Sequence, residues 1–116
     1  MVGPKAKKIT VRFSKSLKAE MQHAIIKLGY GLHGKSRWLT DAVVNFLKQP
    51  NYIELVEHGI NMNQADLCDV EAFYLHERIV NEVKQALIQV RTHFPMLEGV
   101  QSAFIRSCVI YQLVFS

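Results

Sequence analysis

Lys8-Ile9-Thr10-Val11-Arg12-Phe13 is the stretch on which the fold turns, because polar and apolar residues alternate strictly through it and three of the six are β-branched. Successive side chains of a strand point to opposite faces, so Ile9, Val11 and Phe13 form an inward face, and Lys8, Thr10 and Arg12 an outward one. A lone two-faced strand is not stable in water. It requires a partner strand and a layer of helices over its apolar side.

Working outward, Ser14 or Ser16 caps a helix whose apolar residues Leu17, Met21, Ala24, Ile25 and Leu28 recur at helical spacing. Gly29-Tyr30-Gly31 stops it. A second helix starts near Ser36, carries Trp38, Leu39, Ala42, Val43, Phe46 and Leu47 on one stripe, and ends before Pro50. Residues 51–69 read as a connector, in which Tyr52-Ile53-Leu55-Val56 can form a helical turn packed on the core.

Beyond the connector the pattern returns. An offset of 62 carries Val11 to Phe73, Phe13 to Leu75, Leu17 to Ile79, Met21 to Val83, Ala24 to Ala86, Ile25 to Leu87 and Leu28 to Val90, all apolar. An offset of 66 carries Ser36 to Ser102, Trp38 to Phe104, Leu39 to Ile105, Ala42 to Cys108, Val43 to Val109 and Leu47 to Leu113. The four extra residues fall in the turn around His93-Phe94-Pro95, where insertion costs little. The repeat fails where Ile9 meets Glu71 and Phe46 meets Gln112. The expected organisation is a unit over residues 1–50, the connector 51–69 and a second unit over 70–116, the two sharing one core because units this small bury too little alone.

Composition narrows the class. Apolar residues make up 49% of the 116 and charged residues 21%, enough for a packed core. No apolar run is long enough to cross a bilayer, and the chain reads as cytoplasmic. The net charge of +4 is divided unevenly: residues 1–50 hold ten Lys/Arg against two acids, and residues 51–116 hold four against eight. The first half seeks polyanions.

Lys7-Lys8-Ile9-Thr10-Val11-Arg12-Phe13, followed by a helix, a glycine turn and a second helix opening at Ser36, resembles the ribbon-helix-helix repressors, and its strand is similar to that of the methionine repressor. The resemblance implies a mostly α fold with a two-stranded antiparallel ribbon, two ribbon-helix-helix units fused in one chain. It further implies duplex DNA as partner, with Lys8, Thr10 and Arg12 reading bases in the major groove and Lys7, Lys35, Ser36 and Arg37 holding phosphates. Ser36 as helix cap and Ser36 as phosphate ligand are compatible roles. The outward residues of the second strand, Val70, Ala72 and Tyr74 with His76 after them, are poorer readers, with Ala72, Tyr74 and His76 as its expected DNA contacts.

Either the two halves pair within one chain, giving a lopsided ribbon and a non-palindromic site, or the first strands of two chains pair. The high effective concentration of an intramolecular partner favours the first. Tandem units resemble the TraY family of conjugative relaxosome proteins and a Vir accessory protein of T-DNA transfer. That layout implies a nucleoid- or plasmid-associated regulator or transfer-origin protein whose partners include itself or a relaxase-type protein. A repressor of a single operator and an antitoxin-like protein-binding module are the alternatives.

Gly29-Tyr30-Gly31-Leu32-His33-Gly34-Lys35-Ser36 satisfies the phosphate-loop pattern of nucleotide hydrolases, but it follows a helical pattern rather than a buried strand. The five histidines stand at no ligand or triad spacing, and Cys68 and Cys108 read as small buried hydrophobes. Neither a catalytic set nor a metal or cofactor site is expected.

Overall fold

The computed structural model describes residues 6–31, 34–62, 67, 69–93, 95 and 100–115, with side chains 58–62 excepted. Its elements run β1 (Ala6–Phe13), α1 (Lys15–Lys27), α2 (Lys35–Leu47), α3 (Tyr52–Met62), β2 (Asp69–His76), α4 (Glu77–His93) and α5 (Val100–Phe115). The fold is mostly helical with one two-stranded antiparallel sheet, β1 beside β2. The strand pairing is therefore made within the chain.

The register sets Lys8 opposite Tyr74, Thr10 opposite Ala72 and Arg12 opposite Val70 on one face, and Ile9 opposite Phe73 and Val11 opposite Glu71 on the other. Val11, Phe13, Phe73 and Leu75 are fully buried, whereas Lys8, Thr10, Arg12, Val70 and Tyr74 are exposed. The alternation of the sequence is thus the alternation of the sheet. One face is covered by helices and the other is open.

Ser14 caps α1, its hydroxyl accepting from the Leu17 amide at 3.2 Å. Gly29 and Gly31 then take φ of 82° and 79°, a left-handed backbone that ends the helix without a Cβ penalty. Gly34 is required for a second reason, since a Cβ there would strike the Tyr30 carbonyl. Leu28, expected on the buried stripe, is instead 52% exposed. It occupies the C-cap position, where the chain leaves the helical path and the 3.6-residue period no longer points the side chain inward.

The second helices form the centre. α2 packs on α5, and each also meets the strand of the other half, α2 on β2 and α5 on β1. Phe46 of α2 and Phe104 of α5 meet edge to face at 5.5 Å, with Tyr52 and Tyr111 closing around them. Residues 51–69 are more than a connector. They hold the three-turn helix α3, whose Val56 is fully buried and whose Tyr52, Ile53 and Leu55 pack on the core. No helix among the described residues is long and apolar enough to cross a membrane.

Candidate nucleic-acid interface

The open face of the sheet is a short platform. Lys8, Thr10 and Arg12 project from β1, and Val70, Ala72 and Tyr74 from β2 directly across from them. Facing side chains of an antiparallel pair lie roughly 5 Å apart at Cβ, so each cation of β1 shares its place with an apolar residue of β2. Val70 is 51% and Tyr74 56% exposed. Lys7 is exposed too, opposite Leu75 near the end of the ribbon.

Helices brace the platform from its two flanks. The Tyr74 amide donates to the Ser36 hydroxyl at 2.9 Å, and Arg106 donates through Nη1 to the Arg12 carbonyl at 3.0 Å. The main chain of one outward-facing residue on each strand is thereby fixed by a helix of the other half. Arg106 is buried, and burial lowers its pKa. Neither Arg106 nor this use of Ser36 was expected from the sequence; the one available sign was a charged residue inside the apolar run of α5.

The residues expected on phosphates have mixed surroundings. Ser36 does not cap α2: Gly34 holds that position without a side-chain bond, and the hydroxyl is turned to Tyr74 because the helix begins a residue earlier and abuts β2. Lys35 bonds Glu71 at 2.9 Å, and Glu71 bonds Lys18 of α1 at 3.0 Å. Burial works to raise the Glu71 pKa, yet the hydrogen bonds from Lys35 and Lys18 outweigh it and leave the carboxyl below its ordinary value. Hydrogen bonding to Glu71 correspondingly raises Lys18, against a smaller effect of burial.

Arg37 is exposed, its guanidinium 5.9 Å from the ring centre of Tyr30. Tyr30 in turn donates to Asp41 at 2.5 Å, a bond that raises its pKa, with burial adding to the effect. His76, at the end of the second strand, is exposed, and its Nδ1 accepts the Arg78 amide at 3.0 Å and so caps α4. That bond leaves Nε2 as the edge it can offer.

The phosphate-loop pattern Gly29–Ser36 follows α1 and leads into α2, with Leu32 and His33 outside the described residues. It does not leave a buried strand, the setting its chemistry needs. Cys108 is fully buried with its thiol pKa pushed up by burial, Cys68 lies outside the described residues, and no metal-binding cluster of His, Cys, Asp or Glu occurs among those described. The chain matches no protein-family model, no curated protein and no solved structure.

Proposed function

We propose that the protein is a sequence-specific duplex DNA-binding protein made of two fused ribbon-helix-helix units, and that the open face of its β1–β2 ribbon enters the major groove. The observation that carries this reading is the ribbon itself, with Val11, Phe13, Phe73 and Leu75 buried on one side and Lys8, Thr10 and Arg12 exposed together on the other. The major groove is wide enough for such a ribbon, and Lys, Thr and Arg match base-edge acceptors there.

The fused-unit reading has its own support. In a two-fold ribbon, the residue on the axis pairs with its own equivalent. The offset of 62 equates Thr10 with Ala72, and these two residues face one another. The same offset equates Arg12 with Tyr74, the two residues whose main chains are held by the opposite half, and Ser14 with His76, which cap α1 and α4.

Selection of bound duplexes from a random library at near-physiological salt tests the function, because purely electrostatic binding fades there while specific binding survives. An enriched sequence sustains the reading, and a library that emerges unenriched ends it. On this reading the protein acts on the nucleoid or a plasmid, as a regulator or as an accessory at a transfer origin.

A protein-binding role is favoured by one observation. Ile110, Val114 and Phe115 of α5 are exposed and line an apolar groove with Leu55 and Tyr111. Polar replacement of Val114 and Phe115 leaves DNA selection unchanged if the ribbon alone carries the function.

A further inference from the structure

We infer that the ribbon binds its duplex in one orientation, on a non-palindromic site in which each end carries one guanine met by a cation of β1 and one thymine methyl met by an apolar residue of β2. The inference rests on the DNA-binding reading and adds the composition, spacing and polarity of the site.

It follows from the register. The cations lie on one strand but not at one end of the ribbon: Lys8 faces Tyr74 on one side of the Thr10–Ala72 centre, and Arg12 faces Val70 on the other. Each end therefore presents one long donor and one exposed apolar group. Lys and Arg donate to guanine O6 and N7, and apolar side chains contact the thymine methyl. Facing residues are close enough to meet the same or adjacent base pairs.

Spacing comes from the strand. Lys8 and Arg12 are separated by four residues, about 13 Å at about 3.3 Å per residue. Against a rise of about 3.4 Å per base pair, that sets the two guanines roughly three to five base pairs apart. Thr10 and Ala72 lie over the steps between them.

Polarity comes from the exchange of residues about the centre. Turning the ribbon end for end puts Val70 where Lys8 was and Tyr74 where Arg12 was, because Lys8 and Val70, like Arg12 and Tyr74, lie at equal distances from the Thr10–Ala72 pair on opposite strands. The guanine that met Lys8 then meets Val70 and its acceptors go unpaired, and the one that met Arg12 meets Tyr74, whose single hydroxyl cannot replace a bidentate guanidinium. The two orientations are therefore unequal in affinity, and a site has a direction.

The test is duplex selection repeated with the 116-residue chain and the variants Lys8→Ala, Arg12→Ala, Val70→Ala and Tyr74→Ala, all at exposed positions, with circular dichroism confirming the fold of each. The expected motif lacks two-fold symmetry and holds two guanines roughly three to five base pairs apart. Lys8→Ala relaxes one and Arg12→Ala the other, each by about tenfold to a hundredfold in discrimination. Tyr74→Ala weakens thymine preference beside the Lys8 guanine, and Val70→Ala beside the Arg12 guanine. An enriched palindrome, both cation variants relaxing one base pair, or unchanged thymine preference in both apolar variants overturns this inference while leaving DNA binding standing. An unenriched wild-type library removes both together.

Discussion

The two strand-helix-helix halves of the chain share an order of elements and differ in what they show to solvent. The outward face of β1 is Lys8, Thr10 and Arg12, and that of β2 is Val70, Ala72 and Tyr74. On the inward side the apolar series is kept, except that Glu71 of β2 stands where β1 has Ile9. The buried positions are constrained by a core that both halves build, whereas the exposed positions are constrained only by what they touch outside. The difference between the strands is therefore greatest on the open face, where β1 carries the cations and β2 does not, while both supply the scaffold.

If the core is shared, damage in one half must be felt in the other. Phe73 lies in β2, fully buried and edge-on to Phe13 of β1 at 6.1 Å. Phe73→Ala is expected to cost about 3 to 5 kcal/mol. The single tryptophan, Trp38, sits in α2 of the first half and reports on it. Urea unfolding followed by Trp38 fluorescence and by circular dichroism is expected to shift by the same amount. A tryptophan transition that stayed in place would break the comparison, making the halves independent bodies.

The two braces across the ribbon are unequal, and their removal should rank accordingly. Arg106→Ala withdraws a buried, charged donor from the Arg12 carbonyl and is expected to cost about 1.5 to 3 kcal/mol. Ser36→Ala removes a neutral acceptor from the Tyr74 amide and should cost about 0.5 to 1.5 kcal/mol. Denaturation midpoints measure both. The reverse order would mean that Arg106 is held by packing of its aliphatic stem rather than by its bond to the ribbon.

At the surface the comparison concerns binding rather than stability. Arg12→Ala is expected to lose about 1 to 3 kcal/mol of discrimination at one base pair and to leave the unfolding midpoint within about 0.5 kcal/mol of wild type. Arg37→Ala, off the ribbon and outside the Glu71 network, should weaken all duplexes alike and lower the salt dependence by about one phosphate contact. Exchanged effects would mean that the ribbon is not the reading element. Titrations at several salt concentrations with matched and scrambled duplexes separate the two.

Much of this arrangement was legible in the sequence, because period two in residues 8–13 and the 3.6-residue stripes of four helices are direct images of one-sided burial. The helix over 52–62 was not, since Gly59 and the polar residues after it weaken a stripe that the tertiary core rewards. The two failures of the repeat proved to be paired polar groups. Glu71 meets Lys18 and Lys35, and Gln112 accepts from Asn45 of α2 at 3.1 Å. Periodicity marks such positions as mismatches but cannot name their partners, which come from distant parts of the chain. Ser36 was misread as a cap for the same reason: its acceptor is used by a residue thirty-eight positions away.

Glu71 offers the finest test, because among the equivalent pairs Ile9/Glu71, Val11/Phe73 and Phe13/Leu75 it is the place where the second strand departs from the first. Glu71→Ile restores the residue of the equivalent position, removing a partly exposed ion network and adding apolar surface. Such exchanges are near neutral, so the expected change is within about 1 kcal/mol of wild type. Glu71→Gln instead keeps the shape and one carbonyl acceptor but removes the charge, loosening the hold on the Lys35 ammonium so that it can meet a phosphate beside Arg37. Affinity for duplexes of any sequence should then rise, and its salt dependence should steepen. The pH dependence has a definite sign: the Glu71 pKa is depressed by folding, so its contribution is present above the unfolded carboxylate pKa and disappears as pH falls through the folded value. Wild type should lose that increment of stability on acidification, and Glu71→Gln should not. Equal acid sensitivity in the two proteins would show that the pairing of Glu71 with Lys18 and Lys35 is too solvated to matter, and that the second strand tolerates a carboxylate there without depending on it.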